Sequence, residues 1–269
     1  MANTVTTITK KDYQAIKGKL LGTIGILLFF LIWHFSIVFQ FVDGQFISPP
    51  LDVFKMAWEM IKSGDLFVHI TTSLSRVLIG LVLGVATALP LGFLLAGFFP
   101  RVNKFIGPLL NLFGQVNAIS LSQLFIFLFG VKENSKYAVI YWSCIWPVLF
   151  TTLAGVQNID PLLIKGAKSM GAKKLTIFFK VVLPSAVTSI FTGFRMGATT
   201  AFLMLVAAEM LGANAGLGWI VLNAQNMNVM PRLYVAILTI ALLALGLNYL
   251  LYTIEKSVVT WKDQGQIAD

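Results

Sequence analysis

Few side chains in this sequence could do chemistry, and their spacing suits passage better than reaction. Glu209 stands among Val, Ala, Met and Leu, and a carboxylate in so apolar a run is costly unless it faces protein, water or a partner, which makes it a candidate functional residue. Arg195 lies fourteen residues earlier, about 21 Å along an ideal helix, so the two cannot pair within one straight helix. Each therefore contacts either a neighbouring helix, a second copy or a substrate, and Glu209 would repel an anion unless neutralised. Arg76 reads either as a snorkelling anchor or as an electropositive contribution to an entrance. Gln115 and Ser122, seven residues apart, share a helical face, and Asn117, Ser120 and Gln123 form an adjacent stripe. Such amides and hydroxyls can replace part of the hydration of a small oxyanion, or serve as polar glue between helices.

Catalysis has little to work with. Neither His34 nor His69 has a Cys or second His at metal-ligand spacing, so no metal site is expected. The one cysteine, Cys144, can form no intrachain disulfide, and between Trp142 and Trp146 it reads as buried packing. A membrane enzyme would need a cluster of acids, histidines or a nucleophile and base, and no catalytic residue is expected. No Gly-x-x-x-x-Gly-Lys-Ser/Thr occurs, so the chain has no phosphate-cradling loop of its own.

The elements that position these residues follow from composition. Of 269 residues, 57% are hydrophobic and 12% charged, against roughly 25% charged in an ordinary soluble domain. The apolar content falls in blocks of about twenty residues, the length of a bilayer span. A soluble enzyme, a secreted disulfide scaffold and a nucleic-acid-binding domain are thereby excluded. The fold class expected is an all-α membrane protein with six transmembrane helices at about residues 20–42, 72–99, 106–129, 137–156, 183–211 and 233–254. The first block is too long for a signal peptide and reads as a retained helix. With both termini inside, thirteen lysines and arginines lie in inner segments and five in outer ones, as the positive-inside rule requires. Topology and anionic head groups thus account for most of the +9 charge, without nucleic acid. The domain division expected is a cytoplasmic segment 1–19, a six-span transmembrane bundle 20–260 and a cytoplasmic tail 261–269.

Three connections are more than turns. Residues 43–70 carry the spacing of an amphipathic helix at the outer surface, and residues 212–231, rich in Gly, Asn and Gln, lie outside. Residues 157–182 carry five lysines and open with Asn-Ile-Asp160-Pro, an N-cap followed by proline at the first helical position. Small residues, Gly80, Gly84, Ala88 and Gly92 in the second span and Gly193, Gly197 and Ala198 in the fifth, predict close helix packing.

Residues 160–184 resemble the coupling-helix signature of ABC importer permeases: Glu-Ala-Ala, a glycine after three residues, then nine residues, an aliphatic residue, a spacer and Leu-Pro. Gly171, Val181, Leu183 and Pro184 match, whereas Lys165-Gly166-Ala167 stands where Glu-Ala-Ala is usual. Val206-Ala-Ala-Glu-Met210, Gly216-Leu-Gly-Trp219, Gly193-Phe-Arg195 and Ser73-Leu-Ser-Arg76 are similar to the sulfonate, taurine, nitrate and bicarbonate branch of that family. The resemblance covers about residues 45–260. It implies a permease working as two copies with two cytoplasmic ATPase subunits and an extracytoplasmic binding protein, which docks on residues 43–70 and 212–232. ATP and Mg would bind in the ATPases, none in this chain. Asp160, Lys165, Gly166, Ala167, Gly171, Leu183 and Pro184 would couple to the ATPase, Leu-Pro starting the fifth span. Related permeases often carry prolines in the region of residues 115–129; their absence there, with Gln123, leaves the usual helix break without its residue. The alternatives are a permease for a neutral or cationic nutrient such as a pyrimidine or vitamin precursor, and an ion-coupled secondary transporter, against which the lack of an evident inverted repeat argues.

Overall fold

In hydrocarbon every backbone polar group must be satisfied within the chain, which leaves helices as the solution for apolar runs of this length. The computed structural model describes residues 47–259 and scattered positions between Ile24 and Phe39, eight of the latter helical. The first expected span, His34, and the end segments 1–19 and 261–269 lie wholly or largely outside the described residues. Helix α1 (Pro50–Lys62) is followed by α2 (Asp65–Phe93), extended by a π turn at Leu94–Phe98. Next come α3 (Pro100–Gly114), α4 (Ala118–Phe129), α5 (Glu133–Gln157), α6 (Pro161–Ser169) and the short α7 (Lys174–Ile177). A second π turn, Phe178–Val182, leads into α8 (Leu183–Gly212), and α9 (Leu217–Asn226) and α10 (Met230–Val258) complete the order.

Among the described residues, four helical stretches are long and apolar enough to cross a membrane: Asp65–Phe98, Glu133–Gln157, Lys174–Gly212 and Met230–Val258. The pair α3 and α4, bent by 88° at its break, makes a fifth when counted as one broken span. These occupy the places of the second to sixth expected spans. Two readings need correction. Residues 106–129 are not one helix, so Gln115 and Ser122 do not share a face. The chain breaks after Gly114 because Asn117 caps α4, its side chain accepting from Ile119 N at 2.9 Å. Trp142 Nε1 secures the break by donating to the Val116 carbonyl at 3.2 Å. Leu183-Pro184 opens α8, but not the continuous helical stretch that contains it. The helix begins at Lys174, and the π turn absorbs the proline, which has no N–H to donate, by shifting Leu183 N onto Phe178 O.

The core lies where α2, α5 and α8 meet. Added Cβ atoms would strike Ile140 from Gly80, Cys144 from Gly84 (2.9 Å) and Thr152 from Gly92 (2.7 Å). Equal steps of residue number on the two helices mean that α2 and α5 run parallel and in close contact. Gly193 approaches Thr151 and Gly197 approaches Val148, numbers moving in opposite directions, so α8 is antiparallel to α5. Val77, Leu81, Ile140, Cys144, Phe202 and Leu205 fill the junction. Cys144 is packing as expected, its thiol donating to Gly197 O. Between Ile24 and Phe39, Trp33 reaches Tyr234 of α10 with ring centroids 5.7 Å apart.

Gly84→Leu is expected to lower stability by roughly 1–3 kcal/mol or more through overpacking. Gly246→Ala, with nothing within 4 Å of its added Cβ, should leave the melting temperature unchanged or higher. Thermal unfolding in detergent distinguishes the two.

Candidate functional site

Two ends of the bundle and one groove hold the chemistry. At the end where α2, α5 and α10 begin and α8 finishes, Glu209 is fully buried. Its Oε1 accepts from Arg76 Nη1 at 2.7 Å, Ser73 Oγ reaches the same oxygen at 2.8 Å, and Oε2 accepts from Gly218 N at 2.8 Å. Gly218 lies in the first turn of α9, where unpaired N–H groups and the helix dipole favour a negative charge. Glu209 thus serves as an anion for a helix start 8 residues downstream of it in the chain. Gly216, at φ +126°, makes the approach possible: a Cβ there would fall on the carboxylate.

Arg76 is likewise interior, 2% exposed. Its Nε and Nη2 donate to both oxygens of Glu133 at 2.6 and 2.7 Å, and Nη1 also donates to Ala215 O at 2.6 Å. Lys136 Nζ donates to Glu133 Oε1 at 3.0 Å. Two cations and two carboxylates therefore form one neutral cluster joining α2, α5, α8 and the loop before α9. The snorkelling reading of Arg76 is replaced by this one, since four donors of its guanidinium bonds are spent inside the protein. A second layer adds to it. His69 Nδ1 accepts from Gly216 N at 2.9 Å, which leaves the proton on Nε2, 3.3 Å from Asp65 Oδ1. Asp65 also accepts from Arg232 Nη2 at 2.8 Å, and His69 stacks on Trp219. His69 is buried.

Arg195 and Glu209 are apart, as the helical arithmetic requires. Arg195 Nη1 instead meets Glu255 of α10 at 2.9 Å. The polar residues of the third span are scattered by the break. Gln115 lines a groove of about 400 Å3 with Trp142, Ser143, Trp146, Thr151 and Thr200, and no charged side chain. Asn117 is occupied as the α4 cap. Ser122 is buried and bonds back to Ile119 O, while Ser120 and Gln123 are exposed on α4.

At the opposite end, α6 stands on an elbow. Asp160 Oδ1 accepts from Leu162 N at 2.8 Å as the N-cap, with Pro161 in the first turn. Gly171 at φ +77° turns the chain into α7. Lys165 and Gly166 are exposed and Ala167 is buried, and Leu162 and Met170 project 70% and 83% exposed.

A bundle of this kind, with an internal charge cluster at one end and a protruding elbow at the other, has the architecture of a transporter's membrane subunit. Its fold is that of the permease in the inward-facing MetNI methionine ABC transporter, with a TM-score of 0.58 and 17% identity over 72% of this chain and 95% of that one. The chain belongs to the binding-protein-dependent transport system inner membrane component family, whose signature matches residues 88–260. It is similar to a probable ABC transporter permease of Brucella abortus (strain 2308), 34% identical over 82% of this chain and 88% of the relative. It is also similar to the taurine transport system permease protein TauC of Escherichia coli (strain K12), 29% identical over 91% and 90%. The chain is accordingly a multi-pass inner-membrane transport subunit and no enzyme; ATP hydrolysis belongs to separate ATPase subunits, and a substrate-binding protein is the other partner.

Sequence reasoning missed Ser73, Glu133, Lys136, Gly216 and Gly218 as members of the cluster. Arg76→Leu, which strands two carboxylates, is expected to cost roughly 3–5 kcal/mol, and the pair Arg76→Leu with Glu209→Leu to recover much of that loss. Denaturant unfolding of the single and double variants reads the coupling.

Proposed function

We propose that this chain is one of two permease copies in an ATP-driven importer of a small anion of the sulfonate class, with nitrate and bicarbonate as related candidates. Six spans carry it through a bacterial cytoplasmic membrane with both termini inside, the elbow in the cytoplasm and the charge cluster outside. Two ATPase subunits, binding ATP and Mg, take α6 in their clefts. The binding protein docks on residues 43–70 and 212–232, beside the cluster.

The observation that carries this reading is the elbow. An exposed helix capped at Asp160 turns at Gly171 directly into one 39-residue helical stretch, Lys174–Gly212. Force applied to α6 is thereby delivered to a rod ending at Glu209, and rigid-body movement of this kind is a standard means of switching. Lys165, Gly166, Ala167, Leu183 and Pro184 belong to the same lever by position.

The anion class is supported by the taurine relative and by the uncharged Gln115 amide at the groove. Arg76 and Arg195 are each committed to carboxylates, and the Ser143, Thr151 and Thr200 hydroxyls donate to backbone carbonyls, so substrate contact falls to the Gln115 amide in the groove. Dipoles of this kind hold an anion weakly enough to release it. A second reading, a neutral organic nutrient, is favoured by the same lining, in which Trp142, Trp146 and Phe150 outnumber the amides.

Affinity purification of the tagged chain should bring down an ABC ATPase and an untagged copy of itself. Leu162→Asp with Leu163→Asp should cut ATPase recovery about tenfold, as expected when central interface anchors are lost, without lowering the melting temperature. Undiminished recovery would remove α6 from the contact.

A further inference from the structure

Beside the elbow lies a second cavity, of about 290 Å3, that neither the lever nor the groove uses. Its lining combines Phe98, Ile164, Ile177 and Phe178 with Lys168 and Lys174, and includes no acidic side chain. The two aromatic rings sit 5.8 Å apart. Neither lysine pairs with a carboxylate among the described residues, whose ion pairs all lie elsewhere. The only acid between residues 158 and 182 is Asp160, and it is occupied as the α6 cap. Next in sequence to lining residues Phe98, Lys174 and Phe178, the apolar side chains of Phe99, Leu175 and Phe179 are all more than half exposed.

Unpaired cations over an apolar floor call for a ligand that is anionic at one end and oily at the other. Lysine presents a compact point charge suited to phosphate, and basic pockets between membrane helices on the cytoplasmic side recognise anionic lipid head groups. A free phosphate or a nucleotide would satisfy the lysines and leave the phenylalanines facing water. An acidic side chain of a protein partner would do the same. We propose that this cavity binds an anionic phospholipid, its phosphate between Lys168 and Lys174 and its glycerol and upper acyl region on Phe98 and Phe178. The site joins the π-turn ends of α2 and α7 to α6, so the bound lipid braces the elbow against the bundle. The proposal rests on the functional reading only in placing the elbow at the cytoplasmic membrane surface.

The test is lipid retention by the purified full chain in detergent without ATPase, read by native mass spectrometry with phosphatidylglycerol and phosphatidylcholine as probes. Phosphatidylglycerol should be retained in preference. Lys168→Gln with Lys174→Gln should reduce its retention about tenfold or more, the scale set by two lysines at a charged surface. Lys165→Gln with Lys173→Gln removes the same charge from the same segment outside the cavity and should change it little. Equal loss in both pairs would mean diffuse attraction and overturn the site, as would full retention in the first pair. Displacement of the lipid by millimolar inorganic phosphate would assign the lysines to a free anion instead and also overturn it. Because no ATPase is present, failure of the coupling assignment would leave this result intact.

Discussion

The arrangement depends on placing one carboxylate, Glu209, where no water reaches it. Desolvating a charge is expensive, and the interior repays it only when good geometry and further hydrogen bonds satisfy every lone pair. Here a guanidinium, a hydroxyl and a helix-terminal N–H supply them. The guanidinium and the hydroxyl come from α2 and the N–H from α9, so the requirement fixes more than a single contact. It sets the end of α8 against the start of α2, folds residues 213–216 back over Arg76, and orients α9. Glu133 then balances the guanidinium and draws in the start of α5.

The same constraint gives the bundle a fixed end and a free end. At the charge cluster four segments are tied by short polar bonds. At the elbow, α6 is held through buried Ala167 and partly buried Ile164, while Leu162, Leu163 and Met170 project outward. Between them, α2 and α5 are in close contact at glycines, whereas the break at residues 115–117 and the two π turns interrupt regular hydrogen bonding. A push at the free end is thus carried along a rod to a tied end, and the groove beside the break lies on the way. That division of stiffness is what a permease driven by separate ATPases requires.

Local features were legible in the sequence. The spans show because apolar length is a property of a window, and Asp160-Pro161 and Gly171 show because caps and left-handed turns depend on one or two residues. Glycines four apart disclosed the α2 contact surface, though not that Ile140, Cys144 and Thr152 fill it. The charge cluster could not be read: Arg76 and Glu209 are 133 residues apart, and Glu133 resembles any acid at a helix start. Two signals were present and outweighed. Gly114 with Asn117 is a helix stop followed by a cap, hidden within an apolar run of span length. Pro184 marks a helix start in most settings, but a π turn upstream lets the helix begin ten residues earlier, at Lys174.

The central claim is that solute crosses this bundle only when an ATPase works the elbow. Solute uptake by proteoliposomes, with the binding protein and taurine supplied outside, tests it most directly. Uptake should require both the ATPase subunits and internal ATP, and should vanish when residues 165–174 are deleted from a chain that still folds. Uptake by the bare chain driven by an ion gradient, or uptake that survives the deletion, would contradict the account.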